Sequence, residues 1–111
     1  MLGYIYVYTN PMFPKNIINI QFSTDNTDEF SNIINKNYID PIEIVFIQPT
    51  VNIELAQYYL QLYLLDYKKT EQFYNITLIK LKPIIRKMML QQIIETNLNL
   101  YINSQYEMII H

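Results

Sequence analysis

Two prolines set the first constraint on this chain. Pro11 and Pro14 sit in TNPMFPKN, residues 9–16, between two runs of β-forming residues, GYIYVY at 3–8 and IINIQFS at 17–23. Proline has no amide hydrogen to give a sheet ladder and fixes its own φ, so a regular strand cannot run through the pair. The two runs therefore read as separate strands joined by a loop and paired antiparallel. Tyr4, Tyr6 and Tyr8 alternate along the first run. That spacing puts their rings on one sheet face, with the hydroxyls toward its edge.

Thr24 or Asp25 is placed to cap a helix over DEFSNIINKN, 28–37, in which Phe30, Ile33 and Ile34 share a face. Pro41 ends that segment. IEIVFIQ, 42–48, follows as a third strand, with Ile42, Ile44 and Phe46 on one side and Val45 and Ile47 on the other. Apolar residues on both sides predict a central, covered strand. Asn52 is placed to cap a helix over 53–66 whose Leu55, Tyr58, Tyr59, Leu62 and Leu65 fall together. KKTEQFYN, 68–75, reads as a loop or short segment, and Asn75 as the cap of a last helix rather than as a glycosylation acceptor, since nothing signals secretion. Pro83 predicts a kink or a break in that helix. Beyond it, Ile93, Ile94, Leu98 and Tyr101 continue at helical spacing. The pattern predicts an α/β (α+β) fold with a small mixed three-stranded sheet flanked by helices. It divides the chain into a domain over 1–90 and a C-terminal helical extension over 91–111.

Composition narrows the function. Half of the 111 residues are apolar and 16% are charged, which favours a packed core over disorder. No cysteine is present, so neither a disulfide framework nor a thiolate metal site is available. The formal charge is −2 and the pI near 5.2, the wrong sign for a chain that binds nucleic acid mainly through phosphates. Arg86 is the only arginine, and the only histidine, His111, makes no metal site alone. Lys68, Lys69, Lys80, Lys82 and Lys87 are the one set that could form a basic face. Met88 and Met89 read as core filler. The apolar runs are too short for a membrane span, and MLGYIYVY lacks the features of a signal peptide, so an intracellular setting is expected. Ile, Asn, Tyr and Lys abound while Gly and Ala occur once each, a bias that points to an A/T-rich genome.

The opening block, GYIYVYTNPMFPKNIINIQFST, resembles the GIY-YIG nucleases of phages and large DNA viruses. Members of that branch begin with a Gly-Tyr-x-Tyr-Val strand, an Asn-Pro-x-x-Pro loop and a Lys-Ile-Gly-x-Thr strand. DYKKTEQFYNITL, 66–78, is similar to the branch's Asp-Tyr-Arg…Arg-Glu-Phe-Phe segment, which leads into a final helix. The resemblance covers roughly residues 3 to 90. It implies that Tyr6 stands where the family keeps its first-strand catalytic tyrosine. Asn19 falls on the family's second-strand tyrosine or lysine, and Gln21 on the glycine that follows. Phe30 falls on the helix arginine that steadies phosphate charge, Gln61 on a histidine of the second helix, and Gln72 on the glutamate that holds the metal. Of these, Tyr6 alone keeps the family's residue type.

Phosphodiester cleavage needs a cation, and usually a metal, on the phosphate oxygens. A hard divalent ion wants a carboxylate, and Gln72 offers a neutral carbonyl. Phe30 donates nothing. Removing one such electrostatic group costs about 10²–10³ in rate. Glu71, next to Gln72, would not restore the arginine. The expectation is therefore a catalytically inactive domain with no cofactor and no metal. It would act as a structural or protein-interaction module, placed in the host cytoplasm or as a minor component of a large DNA virus particle. Ile93, Ile94, Leu98 and Tyr101 are the expected partner-binding stripe, for another protein or a second copy; no membrane is expected. The competing expectations are a metal-dependent DNA endonuclease and a non-cleaving DNA-binding module. Carboxylates and lysines converging on Tyr6 would favour the enzyme. A Tyr6 covered by Phe30 and bare of charge would favour the silent domain.

Overall fold

Strand β1 (Gly3–Thr9) is the spine of the sheet in a computed structural model that describes residues 1–110, with side chains through residue 104. It pairs antiparallel with β2 (Ile17–Ser23) on one side and with β3 (Glu43–Thr50) on the other. β4 (Lys68–Thr70) and β5 (Phe73–Asn75) form a hairpin that adds to β2, giving the order β3-β1-β2-β5-β4. The fold is α+β, with five strands rather than three and every pairing antiparallel rather than mixed. The additional strands come from KKTEQFYN, which is not a loop. The turn is made at Glu71 with φ 32°, left-handed backbone that usually calls for glycine. The chain's one glycine is used elsewhere. A Cβ on Gly3 would stand 2.6 Å from Ile53 Cδ1 and 3.0 Å from the Ser23 carbonyl oxygen.

β3 is an edge strand, not the covered central one; β1 holds that place, and Ile5, Tyr6 and Val7 are fully buried. Apolar residues lie on both sides of β3 for another reason. The β1–β3 register slips between Val7 and Tyr8, pairing Val7 with Phe46 and Tyr8 with Ile44. Val45 is the extra residue of a bulge, and the alternation reverses there. Phe46 therefore packs with Val45 against the Ile5 and Val7 side, and not beside Ile42 and Ile44. Pro49, which gives no ladder hydrogen bond, sits on this edge strand, where one is tolerated.

Helices cover both faces. On one, α2 (Ile53–Tyr63) and α3 (Leu78–Ile110) lay Ala56, Leu60, Leu64, Leu81, Ile85 and Met88 against Ile5, Val7, Ile18 and Ile20. Asn52 caps α2 by accepting from the Leu55 amide at 3.0 Å. Its buried line is Ile53, Ala56, Leu60 and Leu64. That is nearly opposite the predicted face, whose Tyr58, Leu62 and Leu65 are exposed. A short 3₁₀ turn, Leu65–Tyr67, leads from α2 into β4. On the other face, α1 (Thr27–Asn35) buries Phe30 and Ile34 while Ile33 is exposed. Its cap is Asn26, which accepts from the Glu29 amide at 2.9 Å, rather than Thr24 or Asp25. Asn75 lies in β5, and the Thr77 hydroxyl accepts from the Lys80 amide at the start of α3. Pro83 does not split α3, which runs unbroken through residue 90. Pro83 is the sixth residue of α3; its missing amide hydrogen removes one ladder bond, that to the Ile79 carbonyl oxygen, and its exposed ring lets the helix continue. Among the described residues, no helix is long and apolar enough to cross a membrane. His111 lies outside the described residues.

Candidate functional site

Tyr6 lies mid-strand, opposite Gln21 of β2 and Ile47 of β3. The Asn26 cap starts α1 so that Phe30, one turn in, lands on the tyrosine. The two rings stack with centroids 4.1 Å apart and planes 12° from parallel. The Tyr6 hydroxyl donates to the Asp25 carbonyl oxygen at 2.7 Å, and no part of the residue reaches solvent. Burial pushes its pKa up, and the nearby Tyr4, Asp25 and Glu29 push the same way against a hydrogen bond to Thr27. A phenol so placed stays protonated at neutral pH and cannot take a proton from a nucleophile.

Its neighbours close the face further. Tyr8 meets Phe30 edge-on at 6.1 Å and Tyr38 at 6.3 Å, while Phe13 of the proline loop packs on Tyr38 and Phe73. The loop is held by Asn10, whose side chain donates to the Asp40 carbonyl oxygen at 2.9 Å and accepts from the Met12 amide at 3.0 Å. The Gln21 amide donates to the Tyr8 hydroxyl at 2.9 Å. Burial, together with Tyr38, pushes the Tyr8 pKa well above the tyrosine range. Asn19, opposite Tyr8, is buried, and its side-chain oxygen has no hydrogen-bond partner.

The other family positions gather elsewhere. Gln21, Gln61 and Gln72 line an open cleft of about 300 Å³, joined by Gln57, Lys68 and Glu71. It opens beside β2 just before β5 begins, where the Ile20 amide donates to the Gln72 carbonyl oxygen at 2.9 Å. The six positions named from the sequence thus divide: Tyr6, Asn19 and Phe30 are sealed inside, and the three glutamines share a polar cleft. Gln57 was not foreseen, and Lys68 was named only among the lysines of a possible basic face. The spacing of Gln57 and Gln61, four apart on α2, was the available signal. Carboxamides both give and accept hydrogen bonds but carry no charge. The cleft brings a single carboxylate, Glu71, to a place where a divalent cation wants several anionic oxygens. Among the described residues, no three His, Cys, Asp or Glu side chains meet in a way that could hold a metal ion. The residues present do not fit the family's metal.

The lysines do not form one face. Lys68 is at the glutamine cleft, and Lys69 lines another with Lys15 and Phe73. Lys82 lies over the Phe46 ring at 5.6 Å and Lys87 over the Tyr63 ring at 4.8 Å. At the far end, Ile93, Ile94, Leu98 and Tyr101 are 55%, 59%, 54% and 62% exposed. They do not fold back on the sheet. Among the residues whose side chains are described, the last ties of α3 to the body are Gln92, which accepts from the Thr50 hydroxyl at 3.1 Å, and Glu95, which accepts from the Tyr59 hydroxyl. No family model matches the chain, and no curated protein or solved structure matches it closely enough to carry an argument.

Proposed function

We propose that this chain is a catalytically silent relative of the GIY-YIG nucleases, serving as a structural or protein-interaction module. The observation that carries the reading is Phe30 stacked on a fully buried Tyr6. In the resemblance, a phosphate-binding arginine belongs where that ring lies. Here the ring fills the space a phosphodiester would need and leaves the tyrosine neutral and out of reach. Fold and chemistry separate readily, because activity follows the site rather than the scaffold. The A/T-rich coding bias and the viral character of the resemblance support a narrower proposal, a minor component of a large DNA virus particle. Mass spectrometry of purified particles would test that step alone.

A second reading has one observation in its favour. Lys68 and Glu71 converge on the cleft lined by Gln61 and Gln72, where an endonuclease or a DNA-binding module would contact its substrate. Incubation of supercoiled plasmid with the purified protein and Mg²⁺ or Mn²⁺ separates the two. The silent reading expects no nicking above a mock preparation. Nicking that grows with protein and is lost on Glu71→Gln or Tyr6→Phe would establish the enzyme. A plasmid mobility shift that weakens on Lys68→Ala, without nicking, would establish the DNA-binding module.

A further inference from the structure

We infer that the glutamine cleft docks an extended, uncharged segment of a partner polypeptide, which adds to the free stretch of β2 in line with β5. The inference rests on the interaction-module reading and names the surface and the chemistry of its partner. The ladder shows which way β2 turns its backbone groups. The Asn16 carbonyl oxygen accepts from the Ile76 amide at 3.1 Å, and the Ile20 amide donates to the Gln72 carbonyl oxygen at 2.9 Å. Direction alternates along an antiparallel strand, so even-numbered residues of β2 point their backbone groups toward β5 and odd-numbered ones toward β1. Phe22 is the next even residue, and the β1–β2 register runs through it unbroken, opposite Ile5. β5 does not reach it. Pairing of β2 with β5 runs from Ile17 with Asn75 to Asn19 with Phe73, and at Glu71 the chain turns off into β4. Among the described residues, no hydrogen bond takes up the Phe22 amide or carbonyl. The edge of β2 thus holds an unused donor and an unused acceptor on the side of the cleft that Phe22 lines.

The walls suit a peptide. An antiparallel guest needs a single residue opposite Phe22 to use both of its backbone groups. Gln57, Gln61 and Gln72, all exposed on the cleft walls, offer carboxamides to the peptide groups on either side of that residue. A carboxamide donates through nitrogen and accepts through oxygen, as a peptide group does. Lys68 and Glu71 set one ammonium against one carboxylate, so the cleft lacks the clustered cations that hold a phosphate backbone. Its volume of about 300 Å³ is at the small end for a binding cleft and suits a short extended stretch, not a folded domain. The outer edges of the sheet are blunted against strand addition. β3 carries a bulge and Pro49, with Lys82 over its Phe46, and β4 is three residues long. β2 at Phe22 has neither proline nor bulge.

The test uses the full chain, panned against a phage-displayed library of random linear peptides. Enriched peptides, made synthetically, should bind with a Kd on the order of 10–100 µM. Gln57→Ala with Gln61→Ala should weaken them by roughly tenfold and leave the circular dichroism unchanged, since both side chains are exposed on α2. Hydrogen exchange read by NMR locates the backbone contact. The Phe22 amide should exchange readily in the free protein and become protected in the complex, while the Ile20 amide is protected in both. No enrichment above the background of the panning would overturn the proposal, as would peptides that bind the double variant equally well or leave Phe22 unprotected. A single-stranded DNA oligonucleotide that displaces the peptide and protects Phe22 would overturn it in favour of nucleic acid. The plasmid assay reads the silent-nuclease proposal separately, whatever the peptides do.

Discussion

Replacing Phe30 with alanine tests whether α1 is held to the sheet by one aromatic anchor. Phe30 is 3% exposed and touches Tyr6 face to face and Tyr8 edge to face. Truncating a buried phenylalanine costs about 3–5 kcal/mol, from lost transfer energy and the cavity left behind. The upper half is expected here, because the ring also contributes two aromatic contacts of about 0.5–1.5 kcal/mol each. The cavity floor cannot collapse easily, because Tyr6 is fixed in a central strand. Against a total stability of about 5–15 kcal/mol, that loss lowers Tm by roughly 10–20 °C in a domain of this size. Urea titration followed by circular dichroism and tyrosine fluorescence measures it, the chain having no tryptophan. Ile33→Ala, three residues along α1 and 51% exposed, is the control and should cost under about 1 kcal/mol. A Phe30→Ala loss no larger than that control would show that α1 does not seal Tyr6.

Three further outcomes are expected. A chain ended after Leu90 should lose about 1–3 kcal/mol in denaturant, because Thr50 and the Asn52 carbonyl oxygen lose Gln92, whereas a chain ended after Thr96 should keep the body's stability; equal losses would contradict the docking of α3. Gly3→Ala should destabilise by about 1–3 kcal/mol, since the Ser23 carbonyl oxygen cannot yield as a side chain does, and a neutral result would show that α2 packs less closely on β1. Tyr6 and Tyr8 have raised pKa values in the folded chain, so unfolded molecules release these protons first. Their contribution is complete below about pH 10 and falls as pH climbs toward the folded values, and alkaline unfolding monitored by circular dichroism should begin there. Stability that rises above that pH would contradict the burial of both rings.

The sequence spoke clearly wherever one local signal governed the outcome. The prolines at 11 and 14 forced the β1–β2 loop, alternation gave the tyrosine face, and Asn52 was a cap with no competitor. It misled where distant geometry decided. The bulge at Val45 reverses β3's alternation, yet in one strand's sequence it looks the same as a strand covered on both faces. The β4–β5 hairpin was hidden because its turn uses Glu71 in place of the expected glycine. On α2 the wrong stripe stood out because Tyr58 and Leu62 are larger than Ala56, the residue that lies against the sheet. At the candidate site, matching positions to the family pattern brought out Tyr6 and Phe30, and their stacking is the feature that matters most. The same matching gave no sign that Gln61 and Gln72 would part from the tyrosine into a cleft that Gln21 borders, because that depends on where β5 starts.

Tyrosine nitration mapped by mass spectrometry on the native protein tests the central claim most directly, because it reads the accessibility of Tyr6 itself. Tyr58 and Tyr101, 59% and 62% exposed, should be modified readily, while Tyr6 and Tyr8, at 0% and 1%, should stay unmodified until the protein is unfolded. Tyr6 modified in native protein as fast as Tyr58 would contradict the account, for it would mean that Phe30 leaves the tyrosine open to a substrate.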